Sequence, residues 1–322
     1  MKGTIKSMAE NKKRIGTDNP RVENFRIVVY LIVVFGLAWA IEIACIVSIN
    51  NINVEMITLI FSLINFIFLI PAIGTLVARF SSGEGMAHSG VKFNVSQYKF
   101  SYLLSWFGMT ILVLLGAVLY FVIFSDNFDA DMANYVRRMR DSGITTDSAE
   151  IINTFRKDLV ISIFNAPLLD LINCAGEEWG WRGYLLPKLN RKFGKVKAVL
   201  LTGLINGIWY APLIEIGYFY GVEYNELPVK GIIAICIFAV VTGCIFSALT
   251  LRTGSIIPAV FAHSSLNVFM SKVPNLAADG GNPFVGPAPT GIISGIPIII
   301  VAVVIIVYMV KHPDSADNSP EI

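Results

Sequence analysis

Long apolar runs constrain this chain more than any other feature. They cover Phe25–Ile49, Met56–Val77, Tyr102–Phe124, Leu159–Ala175, Ala198–Ile214, Gly231–Leu251, Ser255–Met270 and Gly291–Val310. A bilayer core about 30 Å thick takes roughly 20 residues of α-helix. Inside it every backbone N–H and C=O must be satisfied within the segment, so each run reads as a helix. Composition agrees: of 322 residues, 55% are hydrophobic and 15% charged, far from the balance of a soluble domain. The expectation is an all-α, polytopic membrane bundle of about eight transmembrane helices.

What lies between the runs sets the topology. Residues 1–24 form a basic tail, and the first run has no small-residue cleavage pattern after it, so it is read as a retained helix. Lys and Arg divide unevenly between alternate sides, about seventeen against about seven, which places both termini in the cytoplasm. Residues 125–158 read as an external surface excursion with helical spacing, and the Gly/Pro/Asn-rich segment 273–290 as a loop without regular structure. His88 reads as a solvated loop residue, and Glu42 as a charge that snorkels or pairs with another helix. A formal net charge of +2 argues against a nucleic-acid partner. Cys45, Cys174, Cys236 and Cys244 lie in apolar runs without CxxC spacing and read as small core residues.

Charge inside a span is costly, about 2.5–3.5 kcal/mol per residue on insertion scales, and marks function. The stretch Gly176–Leu189, GEEWGWRGYLLPKL, places Glu177, Glu178 and Arg182 at the end of the fourth run. Glu178 and Arg182 are four apart and can pair on one helical face. Glu177 is turned about 100° away, toward Asp170 and Asn173, and is the carboxylate free to act as a general base. In the seventh run His263 and Asn267 share a face, and imidazole and amide groups aimed at one point can donate to a developing oxyanion. Taken singly, each pair reads more readily as interhelical hydrogen bonding, worth about 1 kcal/mol or less. Together they indicate a shared site.

These residues resemble the CPBP family, the C-a-a-X protease and bacteriocin-processing (Abi) family of intramembrane endopeptidases. The resemblance rests on Glu177-Glu178-x-x-x-Arg182 before Gly183-Tyr184-Leu185-Leu186-Pro187, and on His263-x-x-x-Asn267, within about Ile161 to Met270. It implies a four-helix catalytic-type core from the fourth to the seventh run and a membrane-anchored peptide or protein substrate, prenylated or bacteriocin-like. It also implies that Glu177 activates water, that Glu178 and Arg182 support it, and that His263 and Asn267 stabilise the oxyanion. A bacterial cell membrane is the implied location. The chain departs from the family at its second motif. In Asn206-Gly207-Ile208-Trp209-Tyr210-Ala211-Pro212-Leu213, Tyr210 stands where the family has histidine and Asn206 where it has phenylalanine. Tyr210, Asn206 and Trp209 are therefore expected to bind water or substrate.

With a single histidine in the spans, zinc is disfavoured, since its sites normally use three protein ligands; no cofactor is required. The alternative function is a catalytically impaired scaffold or bacteriocin self-immunity protein of the same fold. A transporter would show repeated halves, and no repeat is evident in the sequence. The expected division is a tail at 1–24, N-terminal helices and external loop at 25–158, the motif-bearing core at 159–270, and a loop, last helix and tail at 271–322.

Overall fold

A computed structural model describes residues 20–48, 63–86 and 89–313. Most of the basic tail, the start of the second apolar run, and His88 lie outside the described residues. The helices are α1 (Pro20–Ser48), α2 (Leu63–Ser81), α3 (Lys99–Ile123), α4 (Ala133–Asp141), α5 (Ser148–Leu169) and α6 (Leu171–Phe193). They continue as α7 (Lys195–Trp209), α8 (Ala211–Glu215), α9 (Val229–Thr253), α10 (Ile257–Lys272) and α11 (Ile292–Lys311). The chain is all-helical: among the described residues extended pairing is limited to the isolated bridges Phe128 to Ala277 and Asn282 to Gly286. Among the described residues α1, α2, α3, α9 and α11 are each long and apolar enough to cross a membrane, which makes five, or six if the bent pair α5 and α6 counts as one span. The helices at the fifth and seventh apolar runs, α7 and α10, have 15 and 16 residues. At 1.5 Å per residue they span only about 22–24 Å.

Two ends of the bundle are tied together by separate polar networks. At one end Glu23 and Arg26 of α1, Glu84 and Lys188 are linked through Arg26–Glu23 at 3.4 Å and Lys188–Glu84 at 2.7 Å, with Arg191 also on Glu23. Ser255 Oγ donates to the Lys92 carbonyl there at 2.6 Å. At the other end the backbone of Asp129 bonds to Leu276, that of Ala278 to Asn127, and Lys272 pairs with Asp158. The segments α5 with α6, α7 and α10 all run between these ends. Outward faces of α1, α3 and α11 expose Ile32, Val122 and Val304, the surface a lipid-facing bundle presents.

Local chemistry explains the breaks. Pro71 has no N–H to give, and α2 turns at Phe68–Leu69 just before it. Helix α5 starts earlier than the apolar pattern suggests, at Ser148, because the Asp147 side chain caps it by accepting from the Ala149 N–H at 3.0 Å. The fourth run is also not one straight helix: α5 and α6 meet at 43°. In a continuous helix the Asp170 N–H would bond to the Ala166 carbonyl. Here the Ser264 hydroxyl stands between them, accepting from Asp170 N at 3.0 Å and donating to Ala166 O at 2.6 Å. A side chain inserted into the helical ladder is a recognised cause of a sharp bend, and Pro167, inside α5 three residues before the break and without an N–H, adds to it. The segment 273–290, expected to lack regular structure, contains a 3₁₀ turn at Val273–Leu276.

Small residues let the helices approach where the site is built. A Cβ on Gly176 would sit 2.7 Å from the Phe68 carbonyl, and one on Gly180 would sit 2.8 Å from the Pro71 carbonyl carbon. Helix α7 uses Gly203 and Gly207 in the same way against Ala239, Val240 and Cys236 of α9. Gly203→Leu should therefore lower stability in mild detergent by about 1–3 kcal/mol through overpacking. Gly36→Leu, placed where nothing lies within 4 Å, should be near neutral. Equal thermal unfolding midpoints for the two variants would contradict this packing.

Candidate active site

The two glutamates of α6 are buried, Glu177 at 1% and Glu178 at 0% exposure. Burial of adjacent carboxylates demands partners. Arg182 Nη1 donates to Glu178 Oε1 at 2.9 Å, one helical turn on, and a five-residue π-helical stretch, Trp181–Leu185, carries the arginine. Such π segments concentrate at functional sites. The guanidinium lies over the Phe246 ring at 5.3 Å, and that ring stacks on His263 at 5.0 Å. His263 Nδ1 is 2.8 Å from the same Glu178 oxygen. A carboxylate can only accept, so Nδ1 carries the proton and the imidazole is fixed in orientation. Its Nε2 then faces Glu177 Oε1 at 4.0 Å, a gap beyond direct hydrogen bonding.

Glu177 spends its second oxygen on α7: Tyr210 Oη donates to Oε2 at 2.6 Å. The tyrosine at the departed motif position therefore grips the glutamate itself. Asn206, one turn earlier, is 5% exposed, and its Oδ1 has no hydrogen-bond partner. Trp209 lines neither cavity of the site; it packs edge-on against Trp181 and Tyr210. Its rings form a wall behind Tyr210.

Asn267 lies on the same helix as His263, but its amide nitrogen is engaged elsewhere, bonded to Asp170 Oδ2 at 2.7 Å. Asp170 is the residue that motif spacing undervalued. At the α5/α6 break it also accepts from Asn173 Nδ2 at 2.9 Å and from the Cys174 thiol at 3.4 Å. The signal was present as a lone acidic residue in an apolar run, with the pair Ser264 and Ser265 opposite in HSSLN.

An open cavity of about 500 Å³ reaches this floor, lined by Asp170, Asn173, Glu177, Tyr210 and Asn267, with Tyr218 and Phe219 on its wall. A smaller one of about 30 Å³ lies behind, bounded by Asn206, Tyr210, Thr242, His263 and Asn267. That volume suffices for one or two waters and offers them several polar partners. Among the described residues, no group of three His, Cys, Asp or Glu side chains is disposed to hold a metal ion.

Residues 159–269 match the family described as Type II CAAX prenyl endopeptidase Rce1-like. The match covers a third of the chain and coincides with the segment that carries Glu177, Glu178, Arg182, Tyr210, His263 and Asn267. It agrees with the family resemblance read from the motifs. No curated protein matches the chain.

The Ser264 insertion yields a structural prediction. Ser264→Ala should let Asp170 N bond directly to Ala166 O and relax the bend. Spin labels near Ser148 and Lys192 should then move apart, by up to about 5 Å for full straightening. An unchanged distance would mean that the bend has another cause.

Proposed function

We propose that the protein is an intramembrane endopeptidase that hydrolyses a peptide bond in a membrane-tethered peptide or protein. The observation that carries this reading is the division of labour at Glu177. One oxygen is held by Tyr210 at 2.6 Å, and the other faces His263 Nε2 across 4.0 Å, with Glu177 lining the open cavity and His263 the small one behind it. A water bridging that gap would be held by both groups.

In this mechanism Glu177 takes a proton from the water as its oxygen attacks the scissile carbonyl carbon. The tetrahedral oxyanion accepts a hydrogen bond from His263 in its imidazolium form, whose other nitrogen stays on Glu178. The Asn267 amide nitrogen donates to Asp170 at 2.7 Å and to the Cys174 sulfur at 3.5 Å; it becomes the further donor when its second hydrogen leaves the weak sulfur contact for the oxyanion. Glu177 then delivers its proton to the leaving amine as the carbon–nitrogen bond breaks. Arg182 and Glu178 do not touch the substrate; they hold the imidazole. No metal is required for these steps.

Tyr210 also favours a second reading, a non-catalytic scaffold or immunity protein, because a phenol cannot share the base's role as an imidazole could. Purified wild type, Glu177→Gln and Tyr210→His incubated with lipid-tethered peptides separate the two. The protease reading expects cleavage by wild type and a loss of about 10²–10⁴ in rate for Glu177→Gln. It expects Tyr210→His to retain or raise a Glu177-dependent rate. If neither wild type nor Tyr210→His cuts any tethered peptide, the scaffold reading replaces it.

A further inference from the structure

The open cavity faces one end of the bundle. Its rim is built from the Tyr218–Gly221 turn, from Met270, Ser271 and Pro274 at the end of α10, and from the segment 279–290. The network of Asp129, Leu276, Asp158 and Lys272 marks this end. The opposite end gathers the positive charge. Lys188, Arg191, Lys192, Lys195 and Lys197 follow one another at the close of α6 and the start of α7, with Arg26, Lys92 and Arg252 on neighbouring segments. Among the described residues the cavity end carries seven Lys and Arg, five of them in 125–158, against twelve at the opposite end. Lys and Arg in short connections stay on the cytoplasmic side of a membrane. The cavity therefore opens away from it.

Its charge is as uneven as its placement. Among the lining residues are three carboxylates, Asp170, Glu177 and Asp279, and no Lys or Arg. Asp279 is exposed on the rim, beside a wall of Tyr218, Phe219 and Tyr220. Carboxylates with aromatic faces attract cationic side chains and repel acidic ones, and a membrane-embedded cavity screens neither effect well.

We propose that this cavity takes a basic peptide segment displayed on the non-cytoplasmic face of the membrane, such as the exposed part of an exported, lipid-tethered peptide. Cleavage after docking rests on the protease reading; the side of access and the charge preference do not.

The test uses the full chain in right-side-out and inverted membrane vesicles. Ser271→Cys places a thiol on the rim, and the wild type, whose four cysteines are buried or half-buried, is the labelling blank. A membrane-impermeant maleimide should label Ser271→Cys in right-side-out vesicles and leave it unlabelled in inverted ones. An N-acylated peptide carrying three lysines should protect that thiol at a concentration at least about tenfold lower than its three-glutamate counterpart. Adding Asp279→Lys should shrink the difference to about threefold or less. Labelling confined to inverted vesicles, or equal protection by both peptides, would overturn the proposal. Protection by the lysine peptide when neither wild type nor Tyr210→His cuts it or any other tethered peptide would instead retire the protease reading and leave the docking site standing.

Discussion

Two neighbouring carboxylates buried among membrane helices are the constraint on which the rest of this structure depends. Neither Glu177 nor Glu178 reaches solvent to any useful extent, so each must be compensated from another element. Arg182 comes from the same helix, His263 from α10 and Tyr210 from α7. The site is thus also what fixes three helices relative to one another.

The bend shows how a polar contact substitutes for a helical bond at little cost. Ser264 returns to Asp170 N and Ala166 O the bonds that the break removes, so neither backbone group is left buried and alone. With the backbone satisfied, the Asp170 carboxylate is free to organise Asn173, Cys174 and Asn267 along the cavity floor. Glycines at 176 and 180 then allow α2 to close over the back of α6. Fold and site draw on the same few residues.

Much of this was legible in the sequence, and for identifiable reasons. Apolar runs of about 20 residues announce helices because a spanning helix needs that length and satisfies its backbone within the segment. Glu178 and Arg182 meet as their i, i+4 spacing requires, since a helix carries that geometry with it. What could not be read were contacts set by tertiary approach. Spacing placed Asn267 beside His263 on one face of α10, but could not show that Asp170, ninety-seven residues away, would claim its amide. Trp209 sat in the right motif yet turned into an aromatic core, because its neighbours Trp181 and Tyr210 are brought to it by other helices. Tyr210 looked like a replacement for a water ligand and proved to bond to Glu177, a relation between helices that no local pattern encodes. The helical spacing of the first turns of α5 was legible, but not that they continue unbroken into the apolar run, since Ile151 and Phe155 are buried there by tertiary contacts such as Phe155 against Tyr135.

The central claim is that the buried charges stand only as a mutually compensated set. Unfolding free energies in detergent for Arg182→Met, Glu178→Gln and the double variant test it most directly. Removing the arginine alone leaves a buried carboxylate and should cost about 3–5 kcal/mol, and removing the carboxylate charge as well should restore much of that loss. If Arg182→Met is neutral, or if the double variant is no more stable than Arg182→Met, the charges do not depend on one another and the account fails.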